Sequence, residues 1–108
     1  MNNKEFILGI AETKTIEKTK TQITEPTKYA VVLLNDDYTT WQFVVATLIR
    51  IFNKNEQDAN AITDLIHKKG EGVCGVYSKE IAESKVQASL EFSKINKQPL
   101  RTIMRKVT

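Results

Sequence analysis

The first regular hydrophobic pattern begins at Lys28, directly after a polar stretch that ends with Pro26 and Thr27. From Lys28 to Leu34 the residues are apolar with almost no polar interruption, as in a strand that lies inside a sheet and is covered on one face. The polar run Asn35-Asp36-Asp37 then ends this pattern. The sequence therefore predicts a strand followed by a turn.

A helix is predicted after this turn. Thr39 and Gln42 have the spacing of a capping box, and Tyr38 and Phe43 stand where a hydrophobic staple would close. The apolar residues that recur at helical spacing are Trp41, Val44, Val45, Leu48 and Phe52. This first helix is predicted to end near Asn53.

A second helix follows, with Asn55 as its N-cap and Gly70 as its C-terminal stop after two lysines. Its predicted apolar face consists of Ala59, Ile62, Leu65 and Ile66. His67 falls in its last turn.

The remaining chain predicts a strand, a helix and a last strand. Gly72 to Tyr77 form the second strand, and Ser78 is expected to cap a third helix that runs to about Ile95. That helix has two apolar stripes, although one buried face needs only one. The stripes are Ile81, Ala88, Phe92 and Ile95 on one side, and Ala82, Val86 and Leu90 on the other. Leu100 to Val107 form the third strand.

This order of elements predicts an α+β fold in which a three-stranded sheet packs against three helices on one face. The basic third strand suits an edge position. We place the folded domain at residues 28–108. Residues 1–27, rich in threonine and alternating charge, are predicted to form a flexible N-terminal extension.

Length and composition narrow the class of protein. A chain of 108 residues with 41% apolar and 27% charged residues suits one globular domain with one core. Its longest apolar runs are far shorter than the roughly 20 residues of a membrane helix, so no membrane partner is expected. No targeting signal is predicted, and the expected location is the cytoplasm.

The formal net charge of +3 comes from one part of the chain. Residues 1–27 contain four Lys and four Glu, and residues 28–97 contain nine basic and nine acidic residues. The excess therefore comes from Arg101, Arg105 and Lys106. Three charges at one end are not the footprint of a nucleic-acid-binding protein, so no nucleic-acid partner is expected.

Residues that can carry chemistry gather at two points, the Asn35–Thr39 turn and His67. The simplest interpretation is a turn with side-chain hydrogen bonds and a histidine favoured by the helix dipole. A metalloenzyme site built on Asp36, Asp37 and His67 is an alternative, but no calcium-loop motif is present. The lone Cys74 is interpreted as a small buried residue. No catalytic residue, metal or other cofactor is predicted, since nucleophile and phosphate-loop motifs are missing.

Four segments in a fixed order point to a known family. They are VVLLNDDYT at 31–39, HKKGEGVCGVY at 67–77, EIAESKV at 80–86 and QPL at 98–100. Together they closely resemble ClpS, and the likeness covers residues 28 to about 107. The fold that this resemblance implies, three antiparallel strands against three helices, agrees with the predicted elements.

The resemblance implies an adaptor for the Clp protease that is not itself an enzyme and needs no cofactor. Such an adaptor binds substrate proteins with a bulky N-terminal Leu, Phe, Tyr or Trp. It delivers them to the N-terminal domain of a ClpA-type or ClpC-type unfoldase.

The resemblance also implies a substrate site. A free N-terminus is an ammonium with three hydrogen-bond donors and no acceptor, so it requires acceptors around it. The family positions that match Asn35, Asp36 and His67 supply them, while Asp37 either adds to the electrostatic field or caps the turn. The positions that match the family's apolar pocket are Thr39, Thr40, Trp41, Val44, Thr63, Ile66 and Leu100.

Three pocket positions depart from the family, which usually has Pro at the position of Thr40 and Met at the positions of Trp41 and Thr63. We therefore expect recognition of bulky N-terminal residues without a defined ranking among them.

Glu80 and Lys85 match family positions that contact the unfoldase, and residues 1–27 match a variable extension that is implied to act during substrate transfer. A different class of function is a small nucleic-acid or ribosome-associated module, since the predicted architecture also resembles a ribosomal stalk domain.

Overall fold

The computed structural model describes residues 26–107. These residues form strand β1 (Lys28–Leu34), helices α1 (Trp41–Arg50) and α2 (Glu56–Lys69), strand β2 (Glu71–Ser78), helix α3 (Lys79–Ile95) and strand β3 (Arg101–Lys106). The predicted α+β class and order of elements are confirmed. The predicted N-terminal extension lies outside the described residues except for its last two. No helix within residues 26–107 has the length and apolar character to cross a membrane.

The three strands form one antiparallel sheet with β1 in the middle, in the order β2-β1-β3. At the end of β1, Leu34 pairs with Glu71 on one side and with Arg101 on the other. The basic strand β3 is therefore an edge strand of the described sheet, as predicted. Because β1 is the central strand, the turn that follows it lies between its two neighbours.

The hydrophobic core lies between the sheet and the helices. Val31 and Leu33 of β1 are fully buried and belong to one apolar cluster with residues of all three helices. Phe43 of α1 stacks on Phe92 of α3, with 4.9 Å between the ring centroids. This aromatic contact joins the first and third helices over the sheet.

Helix α1 begins later than predicted. Thr40 is its N-cap, and the side-chain oxygen of Thr40 accepts a hydrogen bond of 3.1 Å from the backbone N–H of Phe43. The predicted capping box at Thr39 is wrong, because the Thr39 hydroxyl donates to the Asp36 carboxylate instead. The predicted staple is also wrong, since Tyr38 is 82% exposed.

Both predicted ends of α2 are confirmed. The Asn55 side chain accepts a hydrogen bond of 2.7 Å from the backbone N–H three residues later. Gly70 ends the helix in the left-handed conformation with φ 91°, which a residue with a Cβ adopts only at a cost. The predicted apolar face is wrong at Leu65, which is 44% exposed. Thr63 is buried there instead, because its hydroxyl bonds to a carbonyl of its own helix.

The two apolar stripes predicted for α3 are only partly right. Ala82 is buried in the core and Val86 and Phe92 pack against it, whereas the predictions for Ile81, Leu90 and Ile95 are wrong. Ile81 and Ile95 are 49% and 74% exposed. The buried residues of the helix are small, namely Ala82, Ser89 and Ser93. Small side chains bring the helix close to the sheet, where Ser89 shares a hydrogen bond of 2.6 Å with Thr102 of β3. Ser78 occupies the predicted N-cap, but its side chain makes no capping hydrogen bond.

Candidate functional site

The turn after β1 and the end of α2 lie side by side, although two helices separate them in the sequence. The backbone N–H of Asn35 donates to the carbonyl of Gly70 over 2.9 Å, next to the pairing of Leu34 with Glu71. His67 occupies the last turn of α2, directly before this contact. The two polar groups singled out in the sequence therefore belong to one site.

This site is a cavity of about 320 Å³ whose lining residues form a polar group and an apolar group, here called its polar side and its apolar side. The polar side consists of Asn35, Asp36, Asp37, Thr39 and His67. The apolar side consists of Trp41, Val44, Thr63 and Ile66. Every one of these lining residues is among those that the resemblance predicted for the substrate site.

Two residues of the predicted pocket do not line the cavity. The Thr40 side chain is taken up in capping α1, and its backbone N–H donates to Gln98 over 3.2 Å. Leu100 is only 3% exposed and belongs to the hydrophobic core. Core packing does not exclude a place in the pocket, since Val44 and Ile66 belong to the same core and line the cavity. The assignment of Thr40 and Leu100 to the pocket stays a prediction.

Asp36 holds the turn that forms the polar side. Its Oδ1 accepts hydrogen bonds of 2.8 Å from the backbone N–H groups of Tyr38 and Thr39, and its Oδ2 accepts one from the Thr39 hydroxyl. Partial burial raises the pKa of Asp36, but these hydrogen bonds outweigh that effect and hold the pKa below its ordinary value. The ionised Asp36 carboxylate therefore stabilises the turn, and its Oδ2 can still accept a hydrogen bond from another donor.

The polar side offers acceptors of several kinds. Asn35 and His67 are exposed at its rim, and Asp37 is exposed beside them. An amide oxygen, a neutral imidazole nitrogen and carboxylates all accept hydrogen bonds. Within the described part of the chain, no group of three or more His, Cys, Asp or Glu is arranged to hold a metal ion. The arrangement suits an organic cation that donates hydrogen bonds.

The apolar side contains a contact that the sequence did not predict. The Trp41 indole Nε1 donates to Oδ1 of Asn60 over 2.9 Å. Trp41 is 41% exposed, so water could also have satisfied its indole N–H, and nothing in the sequence points to Asn60 as the partner. Thr63 turns its hydroxyl to the Ala59 carbonyl over 2.7 Å, so this polar group is satisfied within α2.

The two residues predicted to contact an unfoldase lie on α3 and do not line the cavity. Glu80 is exposed in the first turn of the helix. The Lys85 ammonium donates to the carbonyl of Ile51 over 2.8 Å and lies 5.9 Å from the centroid of the Tyr77 ring. Lys85 therefore also has a structural role, since it ties α3 to the end of α1.

A family model described as "ATP-dependent Clp protease adaptor protein ClpS" matches residues 24–103. The chain belongs to the ClpS family. It is therefore an adaptor of the Clp protease, and its partners are the unfoldase of that protease and the substrates that the adaptor binds.

Relatives agree with this assignment over most of the chain. The ClpS adapter of Xanthomonas oryzae pv. oryzae is 48% identical over 89 residues, which are 82% of this chain and 84% of that protein. The ClpS adapter of Parvibaculum lavamentivorans is 44% identical over 96 residues, which are 89% of this chain and 87% of that protein.

A solved structure shares the fold. It is Agrobacterium tumefaciens ClpS2 bound to L-phenylalaninamide, with a TM-score of 0.74 and 31% sequence identity. The match covers 77% of this chain and all of that one. The antiparallel sheet packed against three helices is thus a ClpS fold.

Proposed function

We propose that this ClpS family member is an N-degron adaptor. It binds substrate proteins through a free N-terminal amine and a bulky apolar first side chain, and it delivers them to a ClpA-type or ClpC-type unfoldase for degradation in the cytoplasm. The observation that carries the proposal is one cavity with hydrogen-bond acceptors on one side and apolar side chains on the other. The compound bound to the Agrobacterium relative has the same two parts, an α-amine and a phenyl side chain.

The polar side binds the amine. Asn35 accepts through its amide oxygen, His67 through an unprotonated ring nitrogen, and Asp36 through the free capacity of its Oδ2. Charge-assisted hydrogen bonds of this kind contribute about 1.5 to 3 kcal/mol each. Asp37 adds negative potential at the mouth of the site.

The apolar side binds the first side chain. Trp41, Val44, Thr63 and Ile66 surround it. Burying a Leu or Phe side chain contributes about 1.5 to 3 kcal/mol. We expect micromolar affinity, which corresponds to a binding free energy of about 8 kcal/mol.

Titration with peptides that differ only at residue one tests this proposal. Peptides beginning with Phe or Leu should bind, whereas the same peptides with an acetylated N-terminus or with Asp at residue one should bind at least tenfold more weakly. Trp41 lines the cavity and is the one tryptophan of the chain, so the protein's tryptophan fluorescence should change on binding. Affinity that does not depend on the free amine or on the first side chain would refute the proposal.

Delivery uses a different part of the molecule. Lys85 lines an open groove of about 480 Å³ between the end of α1 and α3, and Ile81, the residue after Glu80, lines it as well. We assign this region to the unfoldase, together with the N-terminal extension of residues 1–27 in front of the domain of residues 28–108. Deleting the extension should preserve peptide binding and impair delivery, and normal delivery would refute its role.

Charge reversal at Glu80 tests the unfoldase contact more cleanly than reversal at Lys85, because Lys85 also bonds to Ile51 within the fold. Glu80→Lys should weaken binding of the unfoldase N-terminal domain severalfold and leave peptide affinity unchanged. Glu91→Lys, an exposed charge reversal near the other end of the same helix, is the matched control. Equal effects of both variants would argue against a specific contact at Glu80.

A further inference from the structure

Two consecutive hydrogen bonds hold Trp41 at the wall of the cavity. Its indole Nε1 donates to Oδ1 of Asn60 over 2.9 Å, and Nδ2 of Asn60 donates to the backbone carbonyl of Glu56 over 2.9 Å. The second bond fixes the orientation of the Asn60 amide, so that its oxygen is presented to the indole. Since Trp41 is on α1 and Asn60 and Glu56 are both on α2, the first bond joins the two helices and the second lies within α2.

The other residues of the apolar side have short side chains and offer no free hydrogen-bond donor to a ligand. Thr63 is 3% exposed, and its hydroxyl hydrogen is given to the Ala59 carbonyl. A ligand side chain in this space therefore meets an aromatic surface at Trp41 and short aliphatic groups at Thr63, Val44 and Ile66. Among these lining groups, the indole is the one that distinguishes an aromatic ligand from an aliphatic one of similar size.

We propose that Asn60 determines specificity by positioning Trp41, so that the cavity prefers an aromatic first side chain to an aliphatic one. This inference rests on the proposed function. A fixed indole offers edge-to-face or offset-stacked contact to a ligand ring, which is equivalent to about a 2- to 10-fold gain in affinity beyond area burial. An indole that is free to rotate must first be ordered, and this cost reduces the gain.

Three variants of the full chain separate the positioning role from a structural one. Asn60→Ala removes both hydrogen bonds. Asn60→Asp loses the donor to the Glu56 carbonyl, but either of its oxygens can accept from the indole, so it is the conservative variant for that bond. Gln57→Ala changes an exposed residue of the same helix and is the matched control. Because the chain contains a single tryptophan, acrylamide quenching and fluorescence anisotropy report on Trp41 alone.

The first measurement needs no peptide. Asn60→Ala should increase the quenching of Trp41 and lower its anisotropy, whereas Asn60→Asp and Gln57→Ala should behave as the wild type. The second measurement is the ratio of affinities for two peptides that begin with Phe and Leu. Both peptides carry the same amine, so the ratio cancels any change in amine binding. The affinity for the Phe peptide divided by that for the Leu peptide should exceed one in the wild type. It should fall toward one in Asn60→Ala only.

The outcomes distinguish the two proposals. Unchanged quenching in Asn60→Ala would overturn the positioning role of Asn60. Increased quenching with an unchanged Phe to Leu ratio would overturn its role in specificity. If the wild type binds neither peptide, the proposed function fails and the aromatic preference fails with it, while a quenching difference would still support the positioning of Trp41.

Discussion

Asp36 shows how one residue can build a site and take part in it. Its carboxylate accepts hydrogen bonds from two backbone N–H groups and from the Thr39 hydroxyl. These bonds stabilise the turn that contains Asn35 and Asp37. The same bonds keep the carboxylate ionised by lowering its pKa. A negative charge that is already ordered costs little reorganisation when a cation arrives.

Asp36→Asn should destabilise the fold by about 1 kcal/mol at neutral pH, because an amide nitrogen cannot accept from the Thr39 hydroxyl and the site is partly exposed. The pKa of Asp36 is lowered in the folded state. The advantage of the wild type is therefore present above the ordinary value of 3.8 and is lost as the pH falls through the lower folded-state value. Urea denaturation of both proteins at neutral pH and in acid tests this. An equal difference at both pH values would contradict it.

Cys74 gives a second prediction at the residue scale. Burial raises the pKa of its thiol to about 12, so almost no thiolate exists near neutral pH. The native protein should therefore resist iodoacetamide at mildly alkaline pH, and the same protein unfolded in urea should react completely. The chain has one cysteine, so mass spectrometry gives a direct count. Rapid labelling of the native protein would show that Cys74 is accessible.

At the scale of elements, the junction of α2 and β2 supports the apolar side of the site. A Cβ at Gly72 would lie 2.7 Å from Cγ1 of Ile66, and Ile66 lines the cavity. Glycine at this position therefore allows the strand to pass close to the helix. Two residues earlier, the Gly70 carbonyl accepts a hydrogen bond from the Asn35 N–H.

Gly72→Ala should push Ile66 toward the cavity. Overpacking of this kind costs about 1 to 3 kcal/mol in the free energy of unfolding, and the affinity for a peptide with a bulky first residue should fall as well. Val73→Ala, at a neighbouring position that is 47% exposed, should change neither quantity by a comparable amount. Wild-type affinity and stability in Gly72→Ala would show that the contact is not restrictive.

The elements also show where local sequence signals suffice. Asn55 and Gly70 act through their own backbone surroundings, so the sequence predicted both ends of α2 correctly. Thr39 has the spacing of a cap, but a carboxylate three residues earlier competes for its hydroxyl. The fully buried positions of α3 are small residues, and two of them, Ser89 and Ser93, are polar, so no periodicity of apolar residues reveals them.

At the scale of the whole molecule, a contact between strands bears on how the net positive charge is interpreted. Arg105 of β3 forms hydrogen bonds of 2.7 and 3.2 Å with the Glu71 carboxylate of β2, so the pair spans the central strand. One of the three basic residues at the end of the chain is therefore engaged in an ion pair, while the net charge of the chain stays +3. This weakens the interpretation as a nucleic-acid or ribosome-associated module, which relies on a free basic surface.

Most of the candidate site could be predicted from the sequence, because the turn and the end of α2 carry distinctive segments. Contacts between distant elements could not. The pairing of Trp41 with Asn60 depends on how α1 crosses α2. The hydrogen bond from the Asn35 N–H to the Gly70 carbonyl depends on how the end of α2 meets the turn after β1. Neither contact leaves a local pattern.

The central claim is that the polar side binds an N-terminal amine, and a thermodynamic cycle tests it most directly. The affinities of a Phe-initiated peptide and of its desamino analogue are measured for the wild type and for His67→Ala, with Lys68→Ala as the neighbouring control. Removing the amine should weaken binding to the wild type and to Lys68→Ala by about tenfold more than binding to His67→Ala, the equivalent of one charge-assisted hydrogen bond. An equal loss in all three proteins would contradict the claim.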